Sequence, residues 1–257
     1  VVLGVVGLLC WRLLVGLHQV LDTWVVWTFD VLFVIVAVQL VVAGFEGRVV
    51  GRGETYRVAV LVPLYNEDPD VVVRMLSALL HQSSPPAEIH VVDDGSTQGA
   101  YVSERDWCIR QAALAGIYAS WQRTPNEGKR HAQVHGFRRI RDADLFVTVD
   151  SDSMLDAEAL HEIVQPFSDP RVMSVAGGIL AINNRENLLA RVTDVIFVGQ
   201  QLIDRSFMSQ LGSVMVNSGG LAAYRCSILA ENIDTYMNES YLGRHVEFSD
   251  DSMLTLF

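Results

Sequence analysis

Two long apolar runs open the chain, and a different rhythm follows them. Residues 1–17 are almost wholly apolar, interrupted by Arg12, and after a polar break at His18, Gln19, Asp22 and Thr23 a second run extends from Trp24 to Phe45. Its only strongly polar members are Asp30 and Gln39, and its 22 residues are long enough to span a bilayer. Trp24 and Trp27 fall near one end, where an interfacial aromatic belt places them. Two apolar runs in tandem, with no small-residue cleavage site, do not read as a signal peptide. The pattern therefore predicts two transmembrane helices within residues 1–45. Residues 46–56 form a short Gly-rich linker carrying Arg48 and Arg52, with Arg57 just beyond. Cationic residues next to a membrane helix mark the cytosolic side, so the chain from residue 57 to 257 is expected to face the cytosol.

From Arg57 onward, short apolar strands alternate with amphipathic helices. The spacing predicts strands at 58–62, 89–92, 117–121 and 145–149, separated by helices over about 70–82, 101–115 and 129–141. Such alternation implies βαβ units and a largely parallel sheet. Beyond Asp152 it predicts a helix at 156–168, a strand at 172–182 and a helical stretch at 186–211. A strand-like segment at 213–224 follows, interrupted by Ser218-Gly219-Gly220. The apolar spacing within 186–211 reads as core packing, with an interfacial element near a membrane as the alternative. Trp107 and Trp121 read as core residues rather than sugar platforms.

Composition narrows the function. Half of the 257 residues are hydrophobic and the formal charge is −11, which argues against nucleic acid, usually bound by a basic face. An acidic protein can still hold an anionic nucleotide when a metal bridges the charges. Cys10, Cys108 and Cys226 are scattered without metal-ligand spacing and read as free thiols in a reducing compartment. The chain starts at Val1 rather than Met and stops at Phe257 inside an expected helix, so both ends are expected to be cut from a longer chain.

Four polar clusters each follow a predicted strand: Tyr65-Asn66-Glu67, Asp93-Asp94, Asn126-Glu127-Gly128-Lys129 and Asp150-Ser151-Asp152. In an open α/β sheet, strand C-termini share one edge and open into one crevice. Asp-x-Asp alone is common in surface turns. At the end of a buried strand, however, two adjacent carboxylates repel unless a cation lies between them, and Mg2+ characteristically takes one or two carboxylates and completes its shell with phosphates. Gly128-Lys129 opening a helix adds an anion cradle of backbone N–H groups, helix dipole and ammonium. A metal site beside an anion cradle suits a nucleoside diphosphate. No Gly-x-x-x-x-Gly-Lys-Ser/Thr and no Gly-x-Gly-x-x-Gly after the first strand is present, which argues against a phosphate-loop NTPase or a dinucleotide cofactor. His131 and His135 lack a third ligand and read as solvated or hydrogen-bonded.

In order, Val-Pro-x-Tyr-Asn-Glu, Asp-Asp-Gly-Ser, Gly-Lys-Arg, Asp-Ser-Asp, Ser-Gly-x-x-x-x-Tyr-Arg and a later acidic pair resemble the processive family 2 glycosyltransferases. The likeness is strongest to hyaluronan synthases and the related chitin-oligosaccharide and cellulose synthases, and it covers about residues 57–257. The resemblance implies an α/β GT-A fold over 57–257 and an inverting hexosyltransferase using a UDP-sugar donor, a glycan acceptor and Mg2+ or Mn2+. It also implies a multi-pass protein of the plasma membrane, in contact with lipid. Carried over by motif, Tyr65, Asp93 and Asp94 would hold uracil and ribose, with Glu67 supporting that pocket. Lys129 and Arg130 would contact the diphosphate, Asp150 would face the sugar or ribose, and Asp152 would be the main metal ligand. Ser218, Gly219 and Gly220 would line the acceptor side. Asp250 and Asp251 would be the catalytic acidic motif, with Asp251 as general base; without the family, the pair reads as an acidic helix N-terminus.

The sequence departs from the hyaluronan synthase pattern in two places. Ser249-Asp250-Asp251-Ser252 stands for Gly-Asp-Asp-Arg, and Ser-Gly-Gly for Ser-Gly-Pro. The family's Gln-x-x-Arg-Trp motif and later membrane helices would lie beyond Phe257. These departures bear on which polymer is made. Two alternatives fit the same residues: a catalytically silent sugar-nucleotide-binding subunit of a synthase, which Ser252 keeps open, and a lipid-linked sugar transferase acting once.

Overall fold

The protein is described here from a computed structural model. It describes the chain outside residues 1–9, 12, 17–22, 48, 52, 54, 98, 183–185, 218–219 and 246–249, and describes backbone alone at 23–26, 241, 244, 245 and 250. The chain forms two compact units. One comprises residues 1–47 with 183–213, the other 48–182 with 214–257.

The first unit is helical. The expected first span lies largely outside the described residues, although 10–11 and 13–16 are helical. The second apolar run forms helix α1, Thr23–Ala43, 21 residues long. Trp27, Phe29, Val31, Leu32, Phe33, Val34 and Val41 are all exposed, so the helix is apolar around its circumference. Among the described residues, no helix is long and apolar enough to cross a membrane. Side chains are described in α1 only from Trp27 onward, about 25 Å of helix at ~1.5 Å per residue against a hydrocarbon core of ~30 Å.

The second unit is an α/β domain around a six-stranded sheet. Strands β1 (Val58–Leu64), β2 (Glu88–Asp94), β3 (Tyr118–Thr124) and β4 (Leu145–Val149) alternate with helices α2 (Pro69–Leu80), α3 (Val102–Leu114) and α4 (Lys129–Phe137). Helix α5 (Ala159–Val164), a 3-10 turn (Gln165–Ser168) and β5 (Ser174–Ala176) follow. The chain then enters the first unit through α6 (Leu188–Gly199), a π-helical turn (Gln200–Arg205) and α7 (Ser206–Gln210). It returns as β6 (Leu221–Arg225), α8 (Cys226–Met237), the short pair β7 (Ser240–Tyr241) and β8 (Arg244–His245), and α9 (Asp250–Leu256). The strand order is β3-β2-β1-β4-β6-β5. The first four strands in that order run parallel, and β6 runs antiparallel to both β4 and β5.

β1 and β4 are buried on both faces, which explains their near-continuous apolar sequence. Val60, Val62 and Leu64 pack with α2 and α3 residues on one side of the sheet. Leu61, Phe146 and Tyr224 pack with Val134, Ile228 and Leu229 on the other. Phe146 and Tyr224 are cross-strand partners whose rings stack at 5.2 Å. The strand order reverses about β1, so the crevice beyond the ends of β1 and β4 is the topological switch point of the sheet.

Three expectations beyond residue 170 are corrected. The strand expected at 172–182 forms only over Ser174–Ala176, where the glycine pair Gly177-Gly178 ends it. The strand expected at 213–224 pairs only from Leu221, because its partner β4 ends at Val149, in register with Leu221. The stretch 186–211 is helical, but α6 has no buried residue. Leu188, Leu189, Val192, Val195 and Ile196 are exposed, so its apolar spacing is not core packing. Trp107 and Trp121 do pack against the core, as expected.

Helix α4 stops at Phe137, short of the expected 141, because the chain must turn there to re-enter the sheet. Buried Glu88 fixes that turn by accepting from the Arg141 and Asp142 N–H groups at 3.0 Å each. It also lies 3.0 Å from His90 Nε2, while His90 Nδ1 is 2.7 Å from Ser120 Oγ. Burial holds the His90 ring below its ordinary pKa despite the Glu88 partner. For Glu88, burial pushes the carboxyl up, but the two N–H groups and His90 outweigh it and hold the pKa down. Both shifts have the same consequence: as pH falls, the unfolded chain takes up protons before the folded one does, so stability declines. His90 acts first, below its unfolded value near 6.5, and Glu88 follows below about 4.5. We expect Tm to fall between pH 7.5 and 5.5, and His90→Asn to flatten that slope in thermal unfolding scans. An unchanged slope would remove His90 as its source.

Candidate active site

Each polar cluster follows a strand C-terminus, and the turns are bonded to one another. After β1, Asn66 adopts a left-handed conformation (φ 52°). Its N–H donates to Ser96 Oγ at 2.9 Å, and its Oδ1 accepts from the Thr97 N–H at 2.7 Å. The Tyr101 hydroxyl donates to the Glu67 carbonyl at 2.7 Å. The β1 turn is therefore fixed by the turn after β2. Tyr65 remains at the rim, 45% exposed.

Asp93 and Asp94 point to different tasks. Asp93 is fully buried; its Oδ1 accepts from the Ser96 N–H at 2.9 Å, and Arg123 Nε lies 3.5 Å from its Oδ2. Arg123 stands opposite Asp93 in the β2–β3 register. Asp94 accepts from the Glu127 N–H at 3.0 Å and the Gly128 N–H at 2.8 Å. Its carboxylate thus ties down the turn that opens α4 and is not left open to the crevice. Gly95 completes this join: at φ +71° it faces Asn126, whose N atom would lie 2.6 Å from any Cβ.

Gly128 (φ 97°) leads into α4 without a side-chain cap. Lys129 Nζ then lies 2.7 Å from Asp150 Oδ1, with both side chains about one-third exposed. Asp150 also accepts, through its carbonyl, the Ser153 N–H at 3.0 Å. Asp152 is exposed and Ser151 buried. Glu67 lies close enough to this group that its pKa is raised, first by burial and then by the charges of Asp152, Asp150 and Asp68, against a hydrogen bond to Ser151. The structure therefore brings Glu67, Lys129, Asp150 and Asp152 together.

Arg130, expected at the diphosphate, is instead buried with its guanidinium directed to α8. It donates to the Tyr236 carbonyl at 3.0 Å and pairs with Glu239 at 2.5 Å. Ser218 and Gly219 lie outside the described residues. Gly220 precedes β6 and therefore sits at the edge where β4 ends; a Cβ there would be 3.5 Å from Ser153 Oγ. Asp250 is described by backbone alone, at the start of α9. Asp251 accepts, through its carbonyl, the Thr255 hydroxyl at 2.7 Å. Thr255 Oγ1 in turn accepts the N–H of buried Asn217 at 3.0 Å. The acidic helix is thus tied to the segment that carries Ser218-Gly219-Gly220. His135 lies 3.9 Å from Glu127.

Among the described residues, no three His, Cys, Asp or Glu side chains form a group that could hold a metal by themselves. The donor set still fits a divalent cation. An exposed carboxylate at Asp152, beside a Glu67 carboxyl whose pKa is raised by burial and by the Asp152 and Asp150 charges, suits an ion that takes one protein ligand and completes its shell from a diphosphate.

Tyr101, Arg123, Asn217 and Thr255 were not anticipated from sequence. Arg123 was within reach, since it ends a strand whose register sets it opposite Asp93. The others act through backbone groups that no motif marks.

A largely parallel α/β sheet, with an anion cradle and clustered carboxylates at its switch point, is the architecture of a nucleotide-sugar transferase. The chain belongs to glycosyl transferase family 2, whose model matches residues 59–233. It is 36% identical over 206 residues to a hyaluronan synthase of Streptococcus pyogenes, covering 80% of this chain and 49% of that protein. It is 32% identical over 222 residues to an N-acetylglucosaminyltransferase of Azorhizobium caulinodans, covering 84% and 53% respectively. The chain thus spans about half the length of these relatives. A mannosyltransferase of Pyrobaculum calidifontis, solved with GDP-Man and Mn2+, shares the fold at a TM-score of 0.60 and 21% identity, over 79% of this chain and 54% of that one.

The Gly95–Asn126 contact yields a direct test. Gly95→Ala adds left-handed strain of about 1–2 kcal/mol and drives a methyl against backbone that Asp94 holds. Tm should fall in thermal-shift measurements. A parent-like Tm would show that the two turns are not pressed together.

Proposed function

We propose that this chain carries the donor-binding and catalytic parts of a membrane-anchored, inverting β-glycosyltransferase, one that extends a polysaccharide from a UDP-sugar as a hyaluronan synthase does. The observation that carries this reading is the meeting of Lys129, Asp150, Asp152 and Glu67 at the switch point of the sheet. The exposed apolar side chains around α1 support a membrane anchor, and Arg57 beyond it supports a cytosolic catalytic domain in the plasma membrane.

The residues divide the chemistry. Tyr65 stacks on the uracil from the rim, and Asp93 and Asp94 shape the nucleoside pocket from behind. Lys129 and the N-terminal N–H groups of α4 bind the diphosphate. Asp152 holds Mg2+ or Mn2+, which when bound neutralises the diphosphate and stabilises its departure. Gly220, with Ser218 and Gly219, lines the acceptor side. Asp251 takes the proton of the acceptor hydroxyl as its oxygen attacks the anomeric carbon. The new C–O bond forms opposite the breaking bond to UDP, so the configuration inverts through a cation-like transition state.

Two variants separate the metal ligand from the base. In the full-length protein, Asp251→Asn should cut transfer by about 10²- to 10⁴-fold with UDP affinity nearly unchanged. Asp152→Asn should lose both, and EDTA should abolish turnover. Radiolabelled UDP-sugars offered as a panel give the readout. Full turnover in excess EDTA would sink the metal role, and a mild Asp251→Asn the base. Donor binding without transfer across the panel would point to a silent subunit, and an extractable glycolipid to a transferase acting once.

A further inference from the structure

Arg130 follows the diphosphate-binding Lys129 yet is only 3% exposed. Burying a guanidinium is costly unless it is paired and hydrogen-bonded. Here it donates to the Tyr236 carbonyl at 3.0 Å, pairs with Glu239 at 2.5 Å, and its Cζ lies 5.0 Å from the centre of the Tyr236 ring. Tyr236 is itself fully buried on α8, and its hydroxyl donates to Gln133 Oε1 of α4 at 2.5 Å. The Tyr236 ring also meets Phe257 edge-on, at 6.4 Å and 71°. Phe257 directly follows α9, the helix that Asp250 and Asp251 begin. One side chain thus touches both the helix that opens with Lys129 and the residue that closes the helix of the acidic pair.

We propose that Arg130 and Tyr236 are positioning residues that set the Asp251 carboxylate in register with the donor held by Lys129. The inference rests on Asp251 being the base. Phe257 lies six positions beyond Asp251, about 9 Å along the helix axis at ~1.5 Å per residue, so a shift at Phe257 carries to Asp251. The far side of α9 is held by the Asn217 N–H on Thr255. The start of α4 is held separately, by Asp94 on the Glu127 and Gly128 N–H groups and by Asp150 on Lys129. Loosening the Arg130–Tyr236 contact therefore moves α8 and α9 and leaves the diphosphate cradle in place. Misplacing a catalytic group by about 1 Å can cost ~10²-fold in rate, while donor binding need not change.

The test uses the full-length protein, with transfer rate at saturating UDP-sugar and UDP affinity measured for Arg130→Met, Tyr236→Phe, Asp251→Asn and the double variant Arg130→Met/Asp251→Asn. Arg130→Met should lower kcat by about 10- to 100-fold with UDP affinity unchanged. The loss should vanish in the Asp251→Asn background, because a residue acting through the base has nothing left to position. Should Arg130→Met fail to fold, Tyr236→Phe keeps the ring, removes only the bond to Gln133, and carries the same comparison with a smaller loss. Parent-like kcat in both single variants beside a crippled Asp251→Asn overturns the positioning role alone. So does a loss that tracks UDP affinity, or one that multiplies undiminished onto Asp251→Asn. A fully active Asp251→Asn overturns the base assignment and this proposal together.

Discussion

Five carboxylates crowd the strand ends of this domain, and their mutual repulsion is the constraint on which the site depends. Three are answered from within the chain. Asp94 accepts two backbone N–H groups, Asp93 faces Arg123, and Asp150 faces Lys129. Among the described residues, no ion pair answers Glu67 or Asp152. Burial and the neighbouring charges lift the Glu67 carboxyl above its ordinary range. A fold that gathers like charges at its switch point destabilises itself there unless a cation arrives with the ligand. On the proposed function, that local cost favours a metal-bound diphosphate over a neutral sugar.

The same turns transmit order outward. Asn66, Ser96 and Thr97 bind the β1 and β2 turns together, and Gly95 presses the second of these onto Asn126. These bonds join turns 30 and 31 residues apart in sequence, each through a backbone N–H, and a typical bond of this kind contributes roughly 1 kcal/mol net. The Lys129–Asp150 pair is about one-third exposed, so solvent screening keeps its contribution to stability small. Its value is in orientation: it holds the ammonium at the mouth of α4 before any anion binds.

The parallel sheet was legible in the sequence because β1 and β4 are buried on both faces and so read as near-continuous apolar runs. The strand-end clusters were legible because Asp150-Ser151-Asp152 and Gly128-Lys129 each punctuate a change of period. The second half was harder to read. β5 has three residues, too short for a period to show, and β6 is antiparallel, which no local pattern announces. The apolar face of α6 carries the same spacing whether it meets a core or not. Arg130 misled for a related reason: its neighbour Lys129 faces the crevice, but on a helix successive residues point about 100° apart, so adjacency in a motif does not put both in one site.

Whether the crevice takes a divalent cation jointly with a nucleoside diphosphate, through Asp152, is read most directly by electron paramagnetic resonance of Mn2+ titrated into the full-length protein. The free-ion signal should fall little on adding protein alone and sharply once UDP is present, and Asp152→Asn should abolish the UDP-dependent fall. Tight Mn2+ uptake without UDP, or uptake with UDP that survives Asp152→Asn, would contradict the account.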